Sequence, residues 1–110
     1  MKTTKLKKNI DFKYVYSKGK SYANQEFVLY KLKNNLGVNR LGISVSKKVG
    51  NSVKRSRVTR LIRENFRLHE ENLVLTGFDI VIIAREASNN KNFYEIKNSL
   101  FKLLKRQGFI

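Results

Sequence analysis

Residues 52 to 67 read SVKRSRVTRLIRENFR, a segment dense in lysine and arginine with Glu64 as its one acid. Its apolar residues recur at helical spacing. At about 100° per residue, Val58, Leu61, Ile62, Asn65 and Phe66 gather on one side of a helix. Ser56, Arg60, Arg63 and Arg67 gather on the other, at i, i+4, i+7 and i+11. Arg57 and Glu64 flank this stripe, while Lys54 and Arg55 fall near the rim of the apolar side. A solvated helix face ordinarily mixes signs so that acids and bases pair four residues apart. Here only Glu64 is available, and Glu70 and Glu71 come after the last arginine. The choice of arginine points to phosphate, because the planar guanidinium forks onto two oxygens. The chemistry suggested is the binding of a phosphate backbone.

Other chemistries have less support. The chain has no Cys, so it offers neither a disulfide framework nor a thiolate metal site. His69 is the single histidine, sits toward the apolar side of its helix and has no partner evident in the sequence, which suits a structural role better than a general base. The carboxylates are scattered, with no spacing that suggests a metal pair. An independent protein nuclease is therefore not expected.

The whole composition agrees with a polyanionic partner. A formal charge of +16 and a pI near 10.4 favour nucleic acid first and an anionic membrane surface second. No stretch approaches the roughly 20 apolar residues of a membrane span. The N-terminal MKTTKLKKNIDFKY has no signal-peptide core. A cytoplasmic nucleic-acid binder is the expectation, built as one domain over residues 1–110, with residues 1–8 flexible.

The elements that must carry these residues follow from periodicity. Asn9 can cap a short helix with Phe12, Val15 and Tyr16 on one face, ended near Gly19. NQEFVLYKLK reads as a strand with Phe27 and Leu29 on one face and Glu26, Val28, Tyr30 and Leu32 on the other. LGISVSKK alternates Leu41, Ile43 and Val45 against Gly42, Ser44 and Ser46, so its second face is a shallow floor open to a ligand. Asn51 or Ser52 can cap the long basic helix to about Glu71. TGFDIVIIAR is a nearly continuous apolar run, the pattern of a strand covered on both faces. A last helix over about 92–107 buries Phe93, Ile96, Leu100, Leu103 and Leu104. The order α-β-β-α-β-α, with room for a split in the first β region, indicates an α+β sandwich with helices against one face of a small sheet.

With these elements in place, GISVSKKVGNSVKRSRVTRLIRENFR, residues 42–67, closely resembles the signature region of the bacterial ribonuclease P protein subunit. DFKYVYSKGKSYANQEFVLY upstream and GFDIVIIAR downstream match further segments of that family in order, so the resemblance covers nearly the whole chain. One departure stands at Ser56, where the family's Arg-Asn-Arg core becomes Arg55-Ser56-Arg57 and the amide's paired donor and acceptor are lost.

The resemblance implies a two-layer α/β sandwich like a ribosomal-protein domain, with a mostly antiparallel sheet and a left-handed β-α-β crossover that contains the basic helix. It implies a protein that does no chemistry itself. A catalytic RNA with bound Mg²⁺ removes the 5′ leader from precursor tRNA, and the protein binds the leader and supports substrate and metal affinity. No metal is expected to be held tightly by the protein alone. Carried over by position, Lys47, Lys48, Arg55, Ser56, Arg57, Arg60, Arg63 and Arg67 would face the catalytic RNA. The leader groove would comprise Phe12, Tyr16, Val28 and Tyr30, with Ser44 and Ser46 as its floor. Exposed aromatics can stack unpaired bases, which agrees with that role. Phe12, Tyr16 and Tyr30 also fit a core, and for Phe12 the pattern does not choose; the parity Tyr30 shares with Glu26 favours an accessible face. Arg85 either reaches the groove or caps the sheet. A ribosomal or RNA-chaperone module without associated catalysis is the alternative.

Overall fold

The computed structural model describes residues 3–110, in the chain order β1 (Thr4–Lys5), α1 (Asn9–Lys18), β2 (Lys20–Ala23), β3 (Phe27–Lys33), β4 (Arg40–Val45), α2 (Ser52–His69), β5 (Phe78–Ala84) and α3 (Phe93–Arg106). The strands form one sheet in the order β1-β4-β5-β3-β2. β1 and β5 run parallel to β4, whereas β3 is antiparallel to both β5 and β2. The sheet is therefore mixed, with two parallel pairings where a mostly antiparallel sheet was expected. The cause lies in the connections: α2 carries the chain from β4 to its immediate neighbour β5, and such a crossover makes the two strands parallel.

Both faces of the sheet are covered, because β3 and β5 are apolar on both. On one face Phe27, Leu29, Ile80, Ile82 and Ala84 meet α2 through Val58, Leu61, Ile62 and Phe66, and α3 through Ile96, Leu100, Leu103 and Leu104. On the other, Val81 packs with Leu6 and with Val15 of α1, and Phe12, Tyr30, Leu32 and Ile83 complete the cluster. The expectation of helices on a single face holds for α2 and α3 and fails for α1.

The N-terminal segment also differs from expectation. Residues 1–2 lie outside the described residues, but Thr4 and Lys5 pair with Arg40 and Leu41. The Thr4 and Leu6 amides donate to the Asn39 and Leu41 carbonyls, both at 2.9 Å. Leu6 is buried at 2 % exposure, so this apolar residue among lysines anchors the segment. The Thr3 amide donates to the Glu70 carboxylate at the far end of α2.

Caps set the helix limits. Asn51 caps α2 by accepting from the Lys54 amide at 3.0 Å. Asn92 and Glu95 form a reciprocal capping box on α3. Asn9 does not cap α1; it is the first helical residue, and Lys8 precedes it with no side-chain bond. Gly19 does end α1, yet its φ is −76°. Glycine is required there for space, since a Cβ would lie 2.5 Å from the Val15 carbonyl oxygen.

At one end of the α1 face, Arg40 holds the nearly buried Asp79 through two 2.7 Å bonds. Asn34 donates to the same carboxylate at 2.9 Å, and Asp11 of α1 lies 3.7 Å from the Arg40 guanidinium. The Asp79 hydrogen bonds raise the Arg40 pKa further, against the opposing effect of burial. This cluster ties β4, β5, the 34–38 turn and α1 together.

Candidate nucleic-acid interface

The α2 helix separates its residues as its periodicity demands. Val58, Leu61, Ile62, Asn65 and Phe66 are buried, and Ser56, Arg60, Arg63 and Arg67 are exposed. With the apolar side locked into the core, the cationic groups project as an ordered row. Arg60 lies 3.5 Å from Glu64, with both side chains well exposed, a pairing worth little in water. Among the described residues no ion pair involves Arg55, Arg57, Arg63 or Arg67. Lys47 and Lys48 are exposed in a short 3-10 turn that joins β4 to α2, above a buried Val49. They extend the charge beyond the start of the row. A groove of about 510 Å³ runs between α2 and β4, lined by Ile43, Val45, Arg55, Ser56, Thr59 and Arg63.

One member of this set is engaged within the fold. Arg57 is half-buried, and its guanidinium donates to the carbonyls of Asn89 at 3.3 Å and Lys91 at 2.8 Å. It pins the loop before α3. Arg55 is also half-buried, and its carbonyl accepts from the Thr59 hydroxyl at 2.8 Å.

On the opposite face, α1 crosses the sheet and leaves part of it accessible. The Tyr16 ring is 37 % exposed, meets the Tyr30 ring edge-on at 5.2 Å and lies 6.4 Å from Phe12. Burial raises the Tyr16 pKa; the Ser44 side chain opposes that shift and Tyr30 adds to it. Strand register places Val28, Ile83 and Ser44 side by side, and Tyr30, Val81 and Gly42 in the adjacent row. Val28, Tyr30, Ser44 and Phe12 are all half-buried. The structure thus brings Phe12, Tyr16, Val28, Tyr30 and Ser44 together, and adds Ile83 between Val28 and Ser44. Ile83 was masked in the sequence by a run of apolar residues with no parity. Phe12 lies directly over Gly42, where a Cβ would come within 2.5 Å of its ring. Ser46 is exposed at the end of the floor.

The parity argument for Tyr30 needs correction. Glu26 precedes β3 and accepts from the Ser99 hydroxyl of α3 at 2.8 Å, so it does not mark the open face. Of the two roles open to Arg85, the geometry is that of a sheet cap: its guanidinium donates to the Asn24 carbonyl at 2.8 Å, and its amide to that of Glu26. His69 is buried at 7 % exposure, with Nε2 unpartnered and its ring 5.7 Å from Phe101. Among the described residues no three acidic or histidine side chains lie close enough to hold a metal ion.

An exposed arginine row on one side of β4 and an aromatic, small-residue groove on the other define an RNA-binding α+β domain. Comparison with known proteins specifies it. The family model described as Ribonuclease P matches residues 1–108. The ribonuclease P protein component of Clostridium botulinum (strain Loch Maree / Type A3) is 51% identical over 108 residues, covering 98% of this chain and 97% of that one. That of Thermoanaerobacter pseudethanolicus is 52% identical over 103 residues, covering 94% and 88%. The structure of the Staphylococcus aureus RNase P protein at 2.0 Å superposes with a TM-score of 0.89 at 43% identity, covering 98% of each chain. The RNase P protein from Thermotoga maritima gives 0.84 at 35% identity, covering 93% of this chain and 96% of that one. The chain belongs to the ribonuclease P protein family, and is the protein subunit of a tRNA-processing ribonucleoprotein.

Proposed function

We propose that this subunit holds the single-stranded 5′ leader of precursor tRNA in the α1-face groove, while the α2 row binds the catalytic RNA. The observation that carries this reading is the position of the two surfaces on opposite sides of β4. Ser44 faces the groove, and Ile43 and Val45 face the basic helix. A protein placed this way sets the leader at a fixed distance from the RNA that cuts it. Tyr16 and Tyr30 offer ring surface to unpaired bases, each stack being worth about 1–3 kcal/mol. The row Arg60, Arg63 and Arg67 neutralises phosphate of the RNA subunit, with Lys47, Lys48, Arg55 and Ser56 beside it. Arg57 acts by holding the 89–91 loop.

Mg²⁺ belongs to the RNA subunit in this reading, and the protein raises metal and substrate affinity by adding positive charge and leader contacts. Cleavage takes place in the cytoplasm, and no helix among the described residues is long and apolar enough to cross a membrane. The deciding experiment mixes the protein with bacterial catalytic RNA and precursor tRNA at low Mg²⁺. Stimulated 5′ cleavage over RNA alone is expected. Absence of stimulation would overturn the reading in favour of a binding module without catalysis.

A further inference from the structure

The sheet has an incomplete edge. In β4 the odd-numbered residues turn their backbone groups toward β1, as shown by the Thr4 bond to Asn39 and the Leu6 bond to Leu41. The chain then leaves for α1. Among the described residues no backbone bond reaches the Ile43 amide or carbonyl from that side. Beside this gap lies a cleft of about 770 Å³ between the N-terminal segment and α2. Its apolar walls are Leu41, Ile43, Phe66 and Phe12, and Lys5, Lys7, Arg63 and Arg67 also line it. Glu70 is the one acid there, and it already accepts from the Thr3 amide. Ile43, Thr59 and Arg63 line both this cleft and the α2–β4 groove, so the two are neighbours along one wall.

We infer that this cleft receives one unpaired nucleotide of the catalytic RNA, its base turned in against the open β4 edge. A nucleobase combines flat apolar faces, an edge of hydrogen-bond donors and acceptors, and flanking phosphates. The cleft supplies a counterpart to each. Phe12 and Phe66 provide aromatic wall, the Ile43 amide and carbonyl provide an unspent donor and acceptor, and the four cations at its sides match the phosphates. Its volume falls in the 300–1,000 Å³ range of pockets that enclose small ligands. The catalytic RNA, and not the leader, is the occupant because Arg63 and Arg67 belong to the α2 row. An RNA lying along that row brings its phosphates to the cleft. The inference rests on the proposed docking of the RNA subunit to α2.

Because the chain has no Cys, single-cysteine variants can carry an aryl azide. Thr4→Cys places it at the cleft, and Ser56→Cys places it on the arginine row as a control. In the reconstituted holoenzyme, Thr4→Cys is expected to crosslink to one unpaired nucleotide of the catalytic RNA. Crosslinks from Ser56→Cys alone would overturn the inference and leave the docking reading intact; crosslinks from neither would overturn both. Crosslinks from Thr4→Cys to base-paired RNA or to the leader would also overturn the nucleotide site. Independently, Thr59→Phe fills the cleft without removing charge. With folding checked by circular dichroism, it is expected to weaken catalytic-RNA binding about fivefold or more at an unchanged salt slope. Unchanged affinity of the folded variant would count against the site.

Discussion

The Arg57 guanidinium donates to the Lys91 carbonyl at 2.8 Å, joining the basic helix to the loop that precedes α3. A charge that the sequence places at the flank of the basic stripe is thus engaged within the fold. Arg60 and Arg63, on the same helix, remain exposed.

That difference separates two kinds of arginine. Arg57→Ala is expected to lower stability by about 1–2 kcal/mol, the scale of a charge-assisted bond removed from a half-buried site. It should leave the salt slope of RNA binding almost unchanged. Arg60→Ala or Arg63→Ala should do the reverse, reducing the log–log salt slope by about 0.7–0.9 for each phosphate no longer neutralised, with little change in unfolding. Urea titration and salt-dependent RNA binding on all three variants check the assignment.

The groove makes a selective prediction. Tyr30→Ala removes the ring beside Tyr16 and should weaken precursor tRNA more than mature tRNA, by about fivefold or more if one base stack disappears. Gly42→Ala should act in the same direction through Phe12, because the added Cβ drives that ring off the floor. Equal losses for precursor and mature tRNA would remove both residues from the leader site.

Arg40 and Asp79 predict a stability effect with a particular non-additivity. Arg40→Ala leaves an almost buried carboxylate with Asn34 as its remaining side-chain partner, at a cost of about 3 kcal/mol or more. The double variant Arg40→Met, Asp79→Leu removes both charges and is expected to be more stable than Arg40→Ala alone. Thermal unfolding of the two variants tests this.

His69 makes stability depend on pH. Burial lowers its pKa first of all, with the Lys97 charge adding to that and a backbone bond to Lys97 opposing it. The unfolded chain then binds a proton more readily than the folded one. This contribution is intact above the unfolded value near 6.5 and declines as pH falls through 6.5 toward the lower folded value. His69→Gln should flatten that part of the melting-temperature profile between pH 7 and 5. An identical profile would show that the imidazole does not titrate with unfolding.

Local pattern carried much of this protein. The 3.6-residue period of Val58, Leu61, Ile62 and Phe66 determined which side of α2 is buried, and hence that Arg60, Arg63 and Arg67 stand together. The alternation of Leu41, Ile43 and Val45 against Gly42 and Ser44 determined the two faces of β4. Period reports side-chain direction along one element, so these features need no knowledge of neighbours. What lay beyond it depended on which elements meet. The two-residue β1 is too short to show a period, and Leu6 shows its role only once β4 stands beside it. The covering of the second face by α1 followed from which apolar surface remained after α2 and α3 had docked. The Arg57 bond spans 34 residues and the Arg85 bond 61. No spacing along the chain encodes such pairings, so only the packed structure decided which arginines are held within the fold and which stand exposed.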